Sequence, residues 1–393
     1  MPRDPRNDPG HIIGSMSGLI AHEWVEGSGG AEVVLDAMLA AFPDADVRCL
    51  WDDAPQRFPG RSVKESWLAH TPLRHHKALA APFSALAWRG MKADQDYEWV
   101  LASSHLFAHH ASVRHARVPK YVYAHTPARY LWASELDRRG QEPLVRAVAP
   151  AFKALDRRRA QEATAIAANS QYIRERIARS WDRDAVVIHP PVATEQIAAV
   201  VDWEDHVADP DERRMLDALP EVFLLGASRF VPYKRLDTVI AAAEAAGLPV
   251  VVAGHGPDAE RLTALAAAAG VPARVVLNPS TPALYALLQR SAAFVFPPIE
   301  DFGILPVEAQ AAGTPVVVGP VGGQTETLTP GVSGVIAATS DASGFARAIS
   351  TALELAPFEA RAVTERFGAQ VFERRIREFV GQGDVGSPAH HLR

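Results

Sequence analysis

A chain of 393 residues, 48% apolar and 22% charged, is globular in composition and too long for one ordinary core, so two domains of about 150 to 200 residues are expected. A net charge of −6 with no basic stripe argues against nucleic-acid binding. No apolar run reaches the ~18 to 20 residues that cross a bilayer, MPRDPRNDPG is too polar to open a signal peptide, and the lone Cys49 can form no internal disulfide. These features predict a cytoplasmic protein that at most rests peripherally on the inner face of a membrane.

The charge is uneven. Residues 1–190 carry 25 Lys/Arg against 22 Asp/Glu, and the remainder carries 15 against 24. Eleven of the fifteen histidines also fall in the first half, among them His70, His75, His76, His105, His109, His110 and His115, but none has a paired helical or cysteine-containing spacing. No metal site is expected.

The chain opens with a plausible strand at His11–Ser15, followed by the loop Gly27-Ser28-Gly29-Gly30 and an amphipathic helix over Ala31–Ala41. Free N–H groups at that helix start could bind an anion, so Gly29 and Gly30 are candidates to approach a donor's phosphates or an acceptor. The loop lacks the Walker lysine and the full dinucleotide fingerprint. The segment Leu73–Lys92 mixes basic residues with Leu79, Phe83, Leu86 and Trp88, which suits a helix buried against a sheet or a surface resting on anionic lipid. Strands are predicted at Val47–Trp51, Trp99–Ser103, Tyr121–Ala124, Ala165–Asn169 and Ala185–Ile188, alternating with helices as a parallel doubly wound sheet requires. His125 stands at the carboxyl end of an inner strand in His125-Thr126-Pro127-Ala-Arg129-Tyr130-Leu-Trp132, where Tyr130 and Trp132 either stack on sugars or fill core. A linker is expected after His189-Pro190-Pro191, through the acidic stretch Asp202–Arg214.

The second half repeats the alternation, with strands at Val222–Gly226, Val250–Ala253, Ala273–Leu277, Ala293–Phe296 and Pro315–Val318. Arg229 and Lys234 share one loop after its first strand, placed to neutralise a diphosphate. Arg235 and Asp237 would orient that loop. Gly256, in Gly254-His255-Gly256-Pro257, opens another helix as a ligand loop or as plain capping. Ala293–Phe296 is stopped by Pro297-Pro298, which leaves Glu300 just beyond the carboxyl end of a strand. Phe302, Gly303, Ile304 and Leu305 lead into a helix whose first N–H groups attract an anion, with Pro306 expected as its first residue. Glu308, a turn further on, is better suited to accept hydrogen bonds from hydroxyls. An anion and hydroxyls at one site point to a nucleotide sugar.

The pattern Glu300-Asp-Phe-Gly-x4-Glu308, the following Ala-x3-Gly-Thr-Pro-Val-Val, and Gly322-Gly323-x-x-Glu326 together resemble the donor-site signature of retaining GT-B glycosyltransferases of family 4. The GxSRxxxxK spacing around Arg229 and Lys234 is similar to that family's diphosphate loop, and HTPxRYxW resembles bacterial mannosyltransferases of O-antigen assembly. The resemblance implies an α/β GT-B fold: an acceptor-binding Rossmann-like domain over 1–190, a nucleotide-sugar domain over 191–366, a helix over 367–381 returning to the first domain, and a disordered tail over 382–393. It also implies metal-independent transfer of a hexose, with GDP-mannose the favoured donor and a glycan, lipid-linked or small-molecule acceptor. Arg229 and Lys234 would stabilise the leaving diphosphate, Glu300 and His125 would contact the sugar, Glu308 would hold the ribose, and no bound cofactor would be needed. A nucleotide-sugar epimerase of the same fold and a non-catalytic binding protein are the alternatives.

Overall fold

The computed structural model describes residues 17–27, 29–91, 95–112, 118–134 and 137–381. The strand expected at His11–Ser15, the residues Ser28, Lys92 and His115, and the tail from Gln382 lie outside the described residues.

Contacts divide the chain into two units. One holds the residues up to Ala168, Arg176–Val186 and those from Glu373 on; the other holds Asn169–Glu175 and Val187–Phe372. In the first unit the strands are β1 Gly18–His22, β2 Asp46–Cys49, β3 Val63–Glu65, β4 Trp99–Ser104, β5 Lys120–Ala124, β6 Ala165–Ala168 and β7 Val186–Val187. They form one sheet in the order β3-β2-β1-β4-β5-β6-β7, so the chain reverses direction of growth between β1 and β4. The β1 strand explains the glycine that opens it: a Cβ on Gly18 would lie 1.9 Å from the Trp99 ring.

The second unit holds β8 Leu224–Arg229, β9 Val250–His255, β10 Ala273–Leu277, β11 Ala293–Phe296, β12 Val316–Val318 and β13 Gly334–Ile336, in the order β10-β9-β8-β11-β12-β13. Both sheets therefore carry the Rossmann order, with a topological switch point between their first and fourth strands. Alternate residues of the second sheet enter opposite cores. Leu225, Val251, Phe294, Phe296, Val316 and Val318 pack on one face, and Leu224, Val250, Val252, Ala293, Val295 and Val317 on the other. Burial on both faces is why these strands read as continuous apolar runs.

Two expectations are corrected. The acidic stretch after Asp202 is partly ordered: Glu204–His206 is a 3-10 turn, and Pro210–Asp217 is a helix capped by Asp209, whose side chain accepts from the Asp211 N–H. Its low apolar content hid it. The helix after Gly303 begins at Ile304, so Pro306 is its third residue, because Gly303 itself takes the left-handed conformation that starts the turn (φ 106°). Leu73–Lys92 is a 3-10 turn over Pro72–His75 and a helix over Lys77–Gly90, with Ala80, Ala85 and Trp88 buried and Leu79, Phe83 and Leu86 exposed.

Candidate active site

In the second unit the polar residues gather at the carboxyl edge of the sheet, beside its switch point. Arg229 ends β8 and Glu300 lies four residues beyond β11, the strand that pairs with β8. Lys234 closes the short turn Pro232–Lys234, and its Nζ lies 2.6 Å from Glu300 Oε1 with both side chains about 15% exposed (14% and 16%). The exposed Arg229 guanidinium donates from Nη2 to Tyr233 Oη at 2.8 Å. Arg235, in the left-handed region (φ 53°), sends Nη2 to the Ser340 carbonyl at 2.6 Å and so anchors the loop. The Asp237 carboxylate accepts from the Thr238 N–H at 3.0 Å, at the start of the helix Leu236–Ala246.

Glu300 is held by its own backbone. Its N–H donates to Gln324 Oε1 at 3.0 Å, and its carbonyl accepts from the Gly323 N–H at 2.7 Å. Gly323 cannot be larger, since a Cβ there would sit 2.1 Å from the Asp301 carbonyl oxygen. Gly303 likewise faces Gln324, with Cβ atoms 2.9 Å apart if it carried one. Gln324 is thus a site residue that sequence reasoning left as an x in the Gly-Gly-x-x-Glu pattern.

No side chain caps the helix Ile304–Ala311. Proline at its third position leaves the N–H groups of Ile304 and Leu305 as the anion-facing pair of the first turn. The Phe302 side chain is core, packed with Val192, Val307 and Phe367, so any ligand contact from it is through its backbone. Glu308, one turn in, accepts from Tyr285 Oη at 3.3 Å. Burial pushes the Glu308 carboxyl above the usual range, against the lowering effect of that hydrogen bond, and burial beside Glu308 raises Tyr285 in turn. Tyr285 was not foreseen, because 23 residues separate the two. Gly256 packs on the neighbouring loop, where a Cβ would meet the Phe230 carbonyl oxygen at 2.5 Å, and this accounts for the glycine without a ligand.

In the first unit His125 follows β5, and its Nε2 lies 2.9 Å from Ser103 Oγ. His105 stands near it, ring centroids 6.0 Å apart. Gly29 and Gly30 start the helix Gly30–Ala41, but a buried acid already faces them: a Cβ on Gly29 would lie 2.2 Å from Glu32 Oε2, and Glu32 Oε1 accepts from the Glu26 N–H at 3.3 Å. Burial raises the pKa of that carboxyl, which shares the helix start with Gly29 and Gly30. Trp132 donates Nε1 to buried Asp156 at 2.7 Å, which makes it an anchor of the fold rather than a free stacking surface.

Among the described residues one three-residue group has metal-ligand proximity: His109, His110 and Asp156, all buried. Asp156 Oδ1 is hydrogen-bonded to His110 Nε2 at 2.9 Å and lies 3.0 Å from His109 Nε2, while Oδ2 accepts from the Trp132 and Trp181 indoles at 2.7 Å each. Three hydrogen bonds and the adjacent His109 ring surround this buried carboxylate.

Against known proteins, the profile of Glycosyltransferase Family 4 matches residues 28–196, and that of Glycosyl transferases group 1 matches residues 210–369. A D-inositol 3-phosphate glycosyltransferase of Mycobacterium avium (strain 104) is 34% identical over 204 residues, 48% of this chain and 47% of its own. A GDP-mannose-dependent alpha-(1-6)-phosphatidylinositol monomannoside mannosyltransferase of Mycolicibacterium smegmatis is 29% identical over 225 residues, 52% of this chain and 56% of its own. The chain spans about half the length of the curated relatives it matches. Anabaena Alr3699/HepE in complex with UDP and glucose superposes with a TM-score of 0.65 at 17% identity, covering 93% of this chain and 99% of that one. The apo lipopolysaccharide outer core galactosyltransferase WaaB gives 0.65 and 17%, covering 94% and 100%. At such identity these structures speak for the fold alone. Two family profiles spanning most of the chain, over two sheets of Rossmann order, place the chain in glycosyltransferase family 4, with the GT-B fold.

Proposed function

We propose that this protein is a retaining hexosyltransferase that takes its sugar from a nucleoside diphosphate, with GDP-mannose the favoured donor, and needs no divalent metal for the step. The observation that carries this is the convergence of Arg229, Lys234 and Glu300 at the switch point, with Lys234 Nζ 2.6 Å from Glu300, beside the helix start at Ile304. In the reaction the bond from the anomeric carbon to the phosphate oxygen breaks, and a bond from that carbon to an acceptor oxygen forms. The acceptor's proton passes to the departing diphosphate. Negative charge grows on the diphosphate, and Arg229, Lys234 and the Ile304 and Leu305 amides are the groups suited to stabilise it. Lys234 has three donors, so it can serve a phosphate oxygen while keeping Glu300 oriented. Glu300 and His125 would hold the sugar hydroxyls and Glu308 the ribose. With Glu308 assigned to ribose, the carboxylate pair of a double displacement is not invoked, and front-face attack of the acceptor is the favoured route.

The HTPxRYxW motif and the GDP-mannose-dependent relative support the donor. For the acceptor, a glycan, lipid-linked or small-molecule alcohol fits. Leu79, Phe83 and Leu86, 62%, 43% and 65% exposed at helical spacing, support a lipid-linked one held at a membrane surface. The decisive experiment is a thermal-shift panel of GDP-, UDP-, ADP- and TDP-sugars, followed by product analysis with and without acceptor. GDP-mannose should give the largest rise in Tm and a transferred mannose. Stabilisation by none of the four would sink the reading, and an altered sugar formed from donor alone would favour an epimerase.

A further inference from the structure

In the first unit the sheet register aligns His125 with two side chains, His22 and Ser103, to which the proposed reaction assigns no role. His22 pairs with Ser103 across β1 and β4, and Ser103 pairs with Tyr123 across β4 and β5. His125 lies two residues past Tyr123, so the period of a strand turns His22, Ser103 and His125 to one face. Ser103 Oγ sits between the two rings, 3.0 Å from His22 Nδ1 and 2.9 Å from His125 Nε2, and both Ser103 and His22 are fully buried.

A serine hydroxyl carries one proton, so it can donate to only one of these rings and must accept an N–H from the other. Burial holds His22 neutral, with its pKa lowered to about 3, so that ring has one proton to place. Its state and that of His125 are therefore complementary through Ser103, and neither ring can flip, or change tautomer on its own, without breaking a buried hydrogen bond. From this geometry we infer that Ser103, backed by His22, is the positioning residue of the site: it holds the His125 ring in one orientation toward the sugar and locks its tautomer to that of His22. The inference rests on the proposed transfer reaction for its purpose, and on the Ser103 contacts alone for its substance.

The experiment is 15N spectroscopy of histidine-labelled protein, with the His125 signals assigned by their loss in His125→Gln, alongside donor kinetics. In the wild type His125 should show the well-separated nitrogen shifts of a single tautomer. In Ser103→Ala those shifts should move toward averaged values, and kcat should fall about tenfold, the scale of one buried hydrogen bond, with the donor KM changed less than about twofold. Ser103→Thr, which keeps the hydroxyl, should restore most of both. His22→Leu should release the ring in the same way and reads the idea even where a Ser103 variant fails to fold. Unchanged His125 shifts in both Ser103→Ala and His22→Leu would overturn the inference, as would a kcat loss in Ser103→Ala and Ser103→Thr that merely follows an equal fall in Tm. A wild type that turns over no nucleotide sugar would instead sink the proposed function and leave the tautomer result standing.

Discussion

At the level of single residues, the buried Asp156 and the half-buried Glu308 carboxylates are handled in opposite ways. Asp156 is flanked by four nitrogens; burial pushes its pKa up, but His109 and His110 outweigh that and hold it well below the usual range. In Asp156→Asn one oxygen becomes an NH2 that must face N–H donors, so we expect a loss of about 3 kcal/mol, read as a lower urea midpoint with an unchanged slope. Among the described residues the Glu308 carboxylate is paired with the Tyr285 hydroxyl and with no cation, and its pKa is raised by burial. A raised carboxyl means the folded state holds the proton more tightly than the unfolded chain. Glu308 therefore carries no penalty below the ordinary value near 4.5, and stability is lost as pH rises through its folded pKa. Glu308→Gln should accordingly gain on the order of 1 kcal/mol at pH 7 and nothing at pH 4, while binding nucleotide more weakly. Thermal melts at the two pH values decide the first part and donor titration the second; equal gains at both pH values would refute the linkage. The places of Glu300, Glu308, Arg229 and Lys234 at strand ends and helix starts were legible in the sequence because strand ends and proline stops set their position along the chain. Their partners were not, since Lys234 and Glu300 are 66 residues apart and Tyr285 and Glu308 are 23 apart, distances that only the tertiary fold closes.

Among the elements, most strands were legible. The strands at Ala273–Leu277 and Ala293–Phe296 match their expected limits, and those at β8, β9 and β12 lie within a few residues of theirs. Two short edge strands escaped. Val63–Glu65 is mostly exposed, and Gly334–Ile336 opens on a glycine required by the Val316 carbonyl 2.4 Å from its would-be Cβ. The first strand, Gly-Leu-Ile-Ala-His, hid behind a glycine and an alanine that are poor strand formers in isolation. Glu326 shows how a motif residue can be structural. Its carboxylate accepts the N–H groups of Gln171 and Tyr172 at 2.7 and 2.9 Å and so caps the helix Gln171–Trp181. His189 Nε2 lies 3.5 Å away, packed against Phe302 and Phe367. Glu326→Ala should cost ~1 to 2 kcal/mol, and Glu326→Gln about half of that, since an amide oxygen still accepts one N–H without the charge. Matching melts for the two variants would mean that the neutral amide contributes nothing and the charge carries the whole effect.

Across the whole molecule, two parallel α/β sheets could be read from alternation and the return of the last helix was implied by the family resemblance, but the division of the helix Gln171–Trp181 could not be read. The helix Gln171–Trp181 begins among the contacts of one unit and ends among those of the other, and so does Ala369–Gly381. In that last helix Ile376, Phe379 and Val380 are at most 5% exposed, Phe379 packs edge-on to Tyr121 of β5 at 5.4 Å, and Arg377 donates to the Ala41 carbonyl at 2.9 Å. Burying three such side chains is worth about 1.5 to 3 kcal/mol each. The sum is comparable to the ~5 to 15 kcal/mol that a whole domain has to spare. A chain ended after Phe372 should therefore lose a cooperative first unit, with Tyr121 exposed, while the sheet of the second unit, none of whose strands lies beyond Ile336, keeps its fold. Limited proteolysis followed by mass spectrometry should then find early cuts in residues 18–168 and a protected fragment from about residue 187. Equal protection of both units in the truncated chain would show that the last helix contributes far less than its burial implies.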